Sequence, residues 1–120
     1  IFFNEELLTF ADFNREHDRC LTFLKEAVSS SNARKKIVVT HHVPSFQMQC
    51  PKFAGSHANG AFTVELEDYI KDSGIDFWIY GHSHYNVDVR IGNTMCISNQ
   101  LGYVFQSEHY SFNPYKNIEV

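Results

Sequence analysis

Basic residues are scarce in this sequence: 10 Lys and Arg stand against 14 Asp and Glu, for a formal net charge of -4. Phosphate backbones are gripped by clustered Lys and Arg, and the single basic run, Arg34-Lys35-Lys36, reads as a helix-to-strand turn, so no nucleic-acid partner is expected. No apolar run approaches the roughly 20 residues that a membrane span needs. Ile1-Phe2-Phe3 is far too short for a signal peptide, so the expectation is no membrane partner. Cysteine is sparse too. Cys20, Cys50 and Cys96 are odd in number, widely spaced and without a Cys-x-x-Cys pair, which argues against a disulfide framework or a zinc knuckle and for a reducing, cytoplasmic setting. An initiating methionine is also missing, and the Phe-rich opening is what a chain starting inside a longer gene product would show.

What the sequence has is an ordinary globular balance, 43% hydrophobic and 20% charged, with an unusual load of 11 Phe and 6 Tyr. A chain of 120 residues fits one domain that buries roughly two-thirds of its unfolded surface. In residues 14–28, Cys20, Leu21, Leu24, Ala27 and Val28 follow helical spacing, with Asn14 as an N-cap. Ser29-Ser30-Ser31-Asn32 breaks that helix. Ile37-Val38-Val39 is a β-branched run without alternation, as in a strand covered on both faces. A stretch of about twenty residues, 42–61, then shows little periodicity and is longer than loops usually are. Phe62, Val64, Leu66, Tyr69 and Ile70 predict a second helix closing at Ser73-Gly74, and residues 75–80 a second buried strand. Val87, Val89 and Ile91 alternate with Asp88 and Arg90, Gly92-Asn93 supplies a two-residue turn, and residues 95–98 complete a hairpin. Residues 115–120 alternate like a final edge strand. There is no internal repeat or low-complexity segment.

The chemistry concentrates where the two apolar strands end. One runs into His41-His42 and the other into Gly81-His82-Ser83-His84. In open α/β sheets ligands bind outside the carboxyl ends of the strands, and parallel strands place these two loops side by side. Neutral imidazole suits zinc, iron, manganese or nickel, and residues two apart on an extended segment share a side. An isolated His-x-His is equally at home in a polar loop; its recurrence as a second histidine-bearing strand end favours a metal site. Other metal folds fail on spacing: a metallo-β-lactamase pattern would need aspartate where Asn86 stands and histidine where Val87 stands.

Three blocks in order carry a resemblance: Val38-Val39-Thr40-His41-His42-Val43-Pro44-Ser45, Trp78-Ile79-Tyr80-Gly81-His82-Ser83-His84, and Ser98-Asn99-Gln100-Leu101-Gly102-Tyr103. With Asn14-Arg15-Glu16-His17-Asp18-Arg19 and Pro51-Lys52-Phe53, they make nearly the whole chain similar to the second half of calcineurin-like metallophosphoesterases. The resemblance implies an α/β fold, half of a four-layer α-β-β-α sandwich: a mixed sheet with two helices and a C-terminal hairpin. It implies a two-metal phosphoesterase, phosphatase or phosphodiesterase, whose ions lie about 3.5–4 Å apart and whose substrate is a phosphoester. Carried over by position, His41 and His82 would hold one divalent ion and His84 the other. His42 and Asn99 would stand behind them or meet substrate, and Asp76 and Asp88 are candidates to accept the ligands' second ring N–H.

The family's other blocks, Asp-x-His, Gly-Asp-x-x-Asp and Gly-Asn-His followed by an acid, do not occur in this sequence, and Asp12 and Asp18 stand in the wrong order to replace them. Three neutral imidazoles without a bridging carboxylate cannot offset the repulsion of two close dications. The expectation is therefore a single segment, 1–120, that is the C-terminal half of an enzyme, inactive alone. Gln100 and Leu101 replace the proline and arginine of the family's Asn-Pro-Arg-Gly-Tyr. The half-sandwich would leave apolar sheet surface open to self-association. A non-catalytic interaction module and a one-metal binding protein are the alternatives on the same fold.

Overall fold

The computed structural model describes residues 2, 3 and 5–120, with the side chains of Phe2, Phe3 and Ala58 set aside. Ile1, and with it the expectation attached to the chain's first residue, lies outside the described residues. The chain divides into two compact units, 1–33 and 34–120.

In the first unit, β1 (Phe2–Phe3) pairs antiparallel with β2 (Glu6–Leu7), and a single helix, α1 (Phe10–Ser30), follows. The helix starts four residues before Asn14. The true cap is Thr9: Asp12 N–H donates to its Oγ1 at 3.3 Å while Thr9 N–H donates to Asp12 Oδ2 at 2.8 Å, a reciprocal box that satisfies two orphan donors of the first turn. Hydrogen bonds from the Thr9 side chain and backbone, then from Arg15, hold the Asp12 carboxyl down at about 2. No residue of α1 is buried, and Phe10 is 91% exposed.

The second unit is built on a mixed four-stranded sheet, β3 (Ile37–Val39), β4 (Phe77–Ile79), β5 (Val89–Ile91) and β6 (Thr94–Ile97), in the order β3-β4-β6-β5. β3, β4 and β6 are parallel, and β5 turns back antiparallel on β6 through the Gly92-Asn93 turn that the sequence predicts, with Gly92 at φ 57°. Val38, Trp78 and Cys96 stand in one register row and point to the core, where Ile70 and Ile75 meet them in burial. The Thr94 hydroxyl, buried, donates to the Ile75 carbonyl at 2.6 Å.

Three further expectations need correcting. β3 is not covered on both faces: Ile37 and Val39, flanking buried Val38, are 43% and 69% exposed. A continuous β-branched run gives no period, so one open face is invisible in it. The second helix, α2 (Glu67–Asp72), is shorter than residues 62–70 predict. Phe62, Val64 and Leu66 have strand period rather than helical period, and that segment lies extended against 43–44: Val43 N–H donates to the Phe62 carbonyl at 3.1 Å and Val64 N–H to that of Val43 at 2.9 Å. Glu65 then serves both ends of the crossover, accepting from Phe46 N–H and Glu67 N–H at 2.9 Å each. Finally, residues 115–120 form no strand; Lys116 instead bonds Asp88 and the Ser98 carbonyl at 2.7 Å each.

The long loop is ordered by three 3₁₀ turns, Phe46–Met48, Pro51–Phe53 and His57–Ala61, and is pinned by buried Val43, Ser45 and Met48. Among the described residues no helix is long and apolar enough to cross a membrane. The result is α/β, a mixed four-stranded sheet with two helices among the described residues.

Candidate functional site

Parallel pairing continues past the ends of β3 and β4. Thr40 N–H donates to the Ile79 carbonyl at 2.9 Å, and Gly81 N–H to the His41 carbonyl at 3.1 Å. Trp78 Nε1–H, coming from the core, donates to Thr40 Oγ1 at 2.9 Å, and that hydroxyl donates to the His42 carbonyl at 3.0 Å. A buried indole thus fixes the turn that carries both histidines.

The two strand ends bring three imidazoles together. His41 Nε2 lies 2.8 Å from His82 Nδ1, and the His42 ring centroid is 4.7 Å from that of His82 and 5.2 Å from that of His41. Phe62 closes one side, its ring 4.8 Å from His82. Desolvation, then the like charges of His42, His41 and His84, hold His82 below its ordinary value of 6.5. The neutral form, the one that ligates a metal, is therefore favoured.

His84 goes elsewhere. His82 and His84 both take left-handed backbone, φ 70° and 50°, so the strand-like sharing of a side expected of residues two apart does not hold. The His84 main-chain N–H donates to Gln100 Oε1 at 2.8 Å. Its Nδ1 lies 2.9 Å from Glu108 Oε2, and its ring meets Tyr103 edge-on at 4.7 Å. The Tyr80 hydroxyl, bonded to the Val87 carbonyl at 2.5 Å, and Asn86, bonded to Gln100, brace this loop.

Other expected partners are engaged away from the histidines. Asp76 bonds Lys35 at 3.0 Å and Lys36 N–H at 2.9 Å, which lowers its pKa, and Asp88 bonds Lys116. Asn99 exchanges two hydrogen bonds with the Asn113 backbone, at 2.8 and 2.9 Å. Sequence reasoning missed Gln100 and Glu108. Gln100 stood out only as a departure from the family's proline. Glu108 has no spacing signal, because it reaches His84 through a chain reversal at Ser107, φ 62°.

Both histidine pairs lie inside residues 3–86, the span matched by the family model for the calcineurin-like phosphoesterases. The chain belongs to that family. It is also 29% identical to an uncharacterized protein of Acanthamoeba polyphaga mimivirus, over 94% of this chain and 41% of that protein. This phosphoesterase-family chain thus spans about two fifths of the length of the curated relative it matches. No solved structure matches it.

The family implies divalent metals, and the donor chemistry here agrees in part. Two nitrogens on one tetrahedral zinc lie about 3.3 Å apart, so the His41 and His82 pair is near ligating separation and needs only a small opening. His84, hydrogen-bonded at Nδ1 to a carboxylate, has the arrangement usual for a metal-bound imidazole. The number of donors falls short. Among the described residues no group of three or more His, Cys, Asp or Glu side chains is arranged to hold an ion.

Proposed function

We propose that this chain supplies the C-terminal, histidine-bearing half of a two-metal phosphoesterase site, completed by carboxylates from an N-terminal half of the same domain. The observation that carries the reading is the 2.8 Å convergence of His41 Nε2 and His82 Nδ1 at adjacent parallel strand ends, inside the span that matches the family. His41 and His82 would hold one ion and His84 its neighbour. When bound, such ions stabilise the charge that develops on a transferring phosphoryl group. This chain's own residues would orient the donors: Thr40 and Trp78 fix the His41 turn, while Phe62 excludes water from one side of His82. The ordered 43–61 loop would shape the substrate pocket, and His42 would stand behind the ligands or meet substrate.

The reading also accounts for the open face of β3. The missing half of the domain would cover Ile37 and Val39, and the chain by itself would self-associate through them; a compact monomer by sedimentation at high concentration would count against this. A non-catalytic module on the same fold is favoured by one observation, the lack of a complete ligand group among the described residues.

One experiment separates the two. The protein with its N-terminal half, stripped by chelator and reloaded with Mn²⁺, is assayed on p-nitrophenyl phosphate and bis-p-nitrophenyl phosphate. Metal-dependent hydrolysis is expected, with kcat/KM falling on the order of 10³-fold in H41A and H82A, since each removes several kcal/mol of charge stabilisation. The 120-residue chain alone should be inactive. Hydrolysis untouched by both substitutions would sink the proposal.

A further inference from the structure

The segment after β6 reverses at Ser107, between the 3₁₀ turns Val104–Gln106 and Glu108–Ser111, and so carries Glu108 back to His84. Three features make that meeting a built one. Glu108 Oε2 accepts Tyr103 N–H at 2.7 Å while lying 2.9 Å from His84 Nδ1. Gly102 makes room: at φ 64°, a Cβ there would stand 2.6 Å from Glu108 Cβ and 3.3 Å from His84 Cβ. Gln100 Oε1 holds the His84 main chain, so the ring is located from both ends.

A glutamate side chain is a carboxylate at neutral pH and can only accept, as Glu108 Oε2 does from the Tyr103 amide. An acceptor facing Nδ1 requires the proton on Nδ1, which leaves the lone pair on Nε2. His41 and His82 have no such arrangement between them: their facing nitrogens must share one proton, or part to admit a metal.

We propose that Glu108 is a positioning residue, whose carboxylate fixes His84 as the Nδ1–H tautomer and so presents Nε2 as the metal-binding nitrogen. The inference rests on the reading of His84 as a ligand. It also assigns a purpose to Gly102, whose missing side chain admits the carboxylate.

Long-range ¹H–¹⁵N correlation spectra of the chain without metal test it directly. In the unsubstituted chain His84 should show the Nδ1–H pattern, the reverse of the Nε2–H tautomer that a free histidine side chain favours. E108A should lose that pattern, and E108Q, whose Oε1 can still accept from Nδ1–H, should largely keep it. Unchanged His41 and His82 resonances in both variants show that the fold persists. In the protein with its N-terminal half, E108A should weaken Zn²⁺ binding by about 10–100-fold, with E108Q closer to the parent.

An Nε2–H tautomer at His84 in the parent chain would overturn the proposal. So would a tautomer, or a Zn²⁺ affinity, indifferent to E108A. Failure of the underlying functional reading looks different: the tautomer follows Glu108 as expected, yet H84A leaves phosphoester hydrolysis unaffected.

Discussion

Gly81-His82-Ser83-His84 holds two histidines with the same left-handed backbone and opposite surroundings. His82 sits among imidazoles and a phenyl ring, and apart from burial every influence on its proton comes from another histidine. His84 sits against a carboxylate that is itself held by a backbone amide. The first environment sheds a proton because charge there is unwelcome; the second places a proton on a chosen nitrogen. The difference teaches that a His-x-His pair is not one unit of chemistry. Each member takes its character from whatever folds against it, and here His82 draws on the β3 exit while His84 draws on the chain after β6. Two dications near His82 would need negative charge that these imidazoles do not carry.

The strongest way to break the comparison is to remove the footing of both sides. Trp78, fully buried, spans from the central strand to the His41 turn, so W78A should cost about 3–5 kcal/mol in urea unfolding and disturb His41, His82 and His84 together. Loss confined to one side would show that the two environments do not share a scaffold. G102A acts on one side only. A left-handed φ and a contact at 2.6 Å should cost roughly 2–3 kcal/mol and displace Glu108 from His84, leaving the His41 and His82 resonances in place. T40V is its counterpart on the other side. It leaves the Trp78 N–H without its acceptor, at about 1–2 kcal/mol, and should shift His41 and His42 while the His84 tautomer stays fixed.

The sequence made one half of this comparison legible. Strand ends are marked by apolar runs stopping at polar residues, so His41 and His82 could be placed side by side before any coordinates, and the parallel pairing of β3 with β4 bears that placement out. The hairpin was legible for the same local reason, a Gly-Asn turn between alternating strands. Glu108 was not, because its approach depends on φ at Gly102 and Ser107, and no pattern of hydrophobicity encodes a reversal of that kind. Asp76 and Asp88 looked like better partners on type alone, but lysines closer in space claim both. The helix start was misplaced for want of weighing Thr9 with Asp12, a cap whose two halves lie three residues apart. The short α2 had its clue in plain view, since 62, 64 and 66 step by two.

The smallest effect separates the two sides by pH, in metal-free protein. His82 titrates below its ordinary 6.5 in the folded state, so as the pH falls through 6.5 the unfolded chain binds the proton first. Stability is whole above that value, declines as the pH drops toward the folded value, and is level beyond it. Glu108 is depressed below 4.5, so its contribution is intact above 4.5 and is lost only as the pH falls further, through the folded value. Acid should therefore weaken the imidazole cluster first and the carboxylate side second. Both groups are partly solvated, which keeps each step small. Asp12 and Asp76 also lose their bonds in the lower window, so the measurement must be a difference between variants. Urea midpoints at pH 7.5, 5.5 and 3.5 should show H82N flattening only the upper interval and E108Q only the lower. If both variants flatten the same interval, the two histidines share one electrostatic environment and the division drawn between them fails.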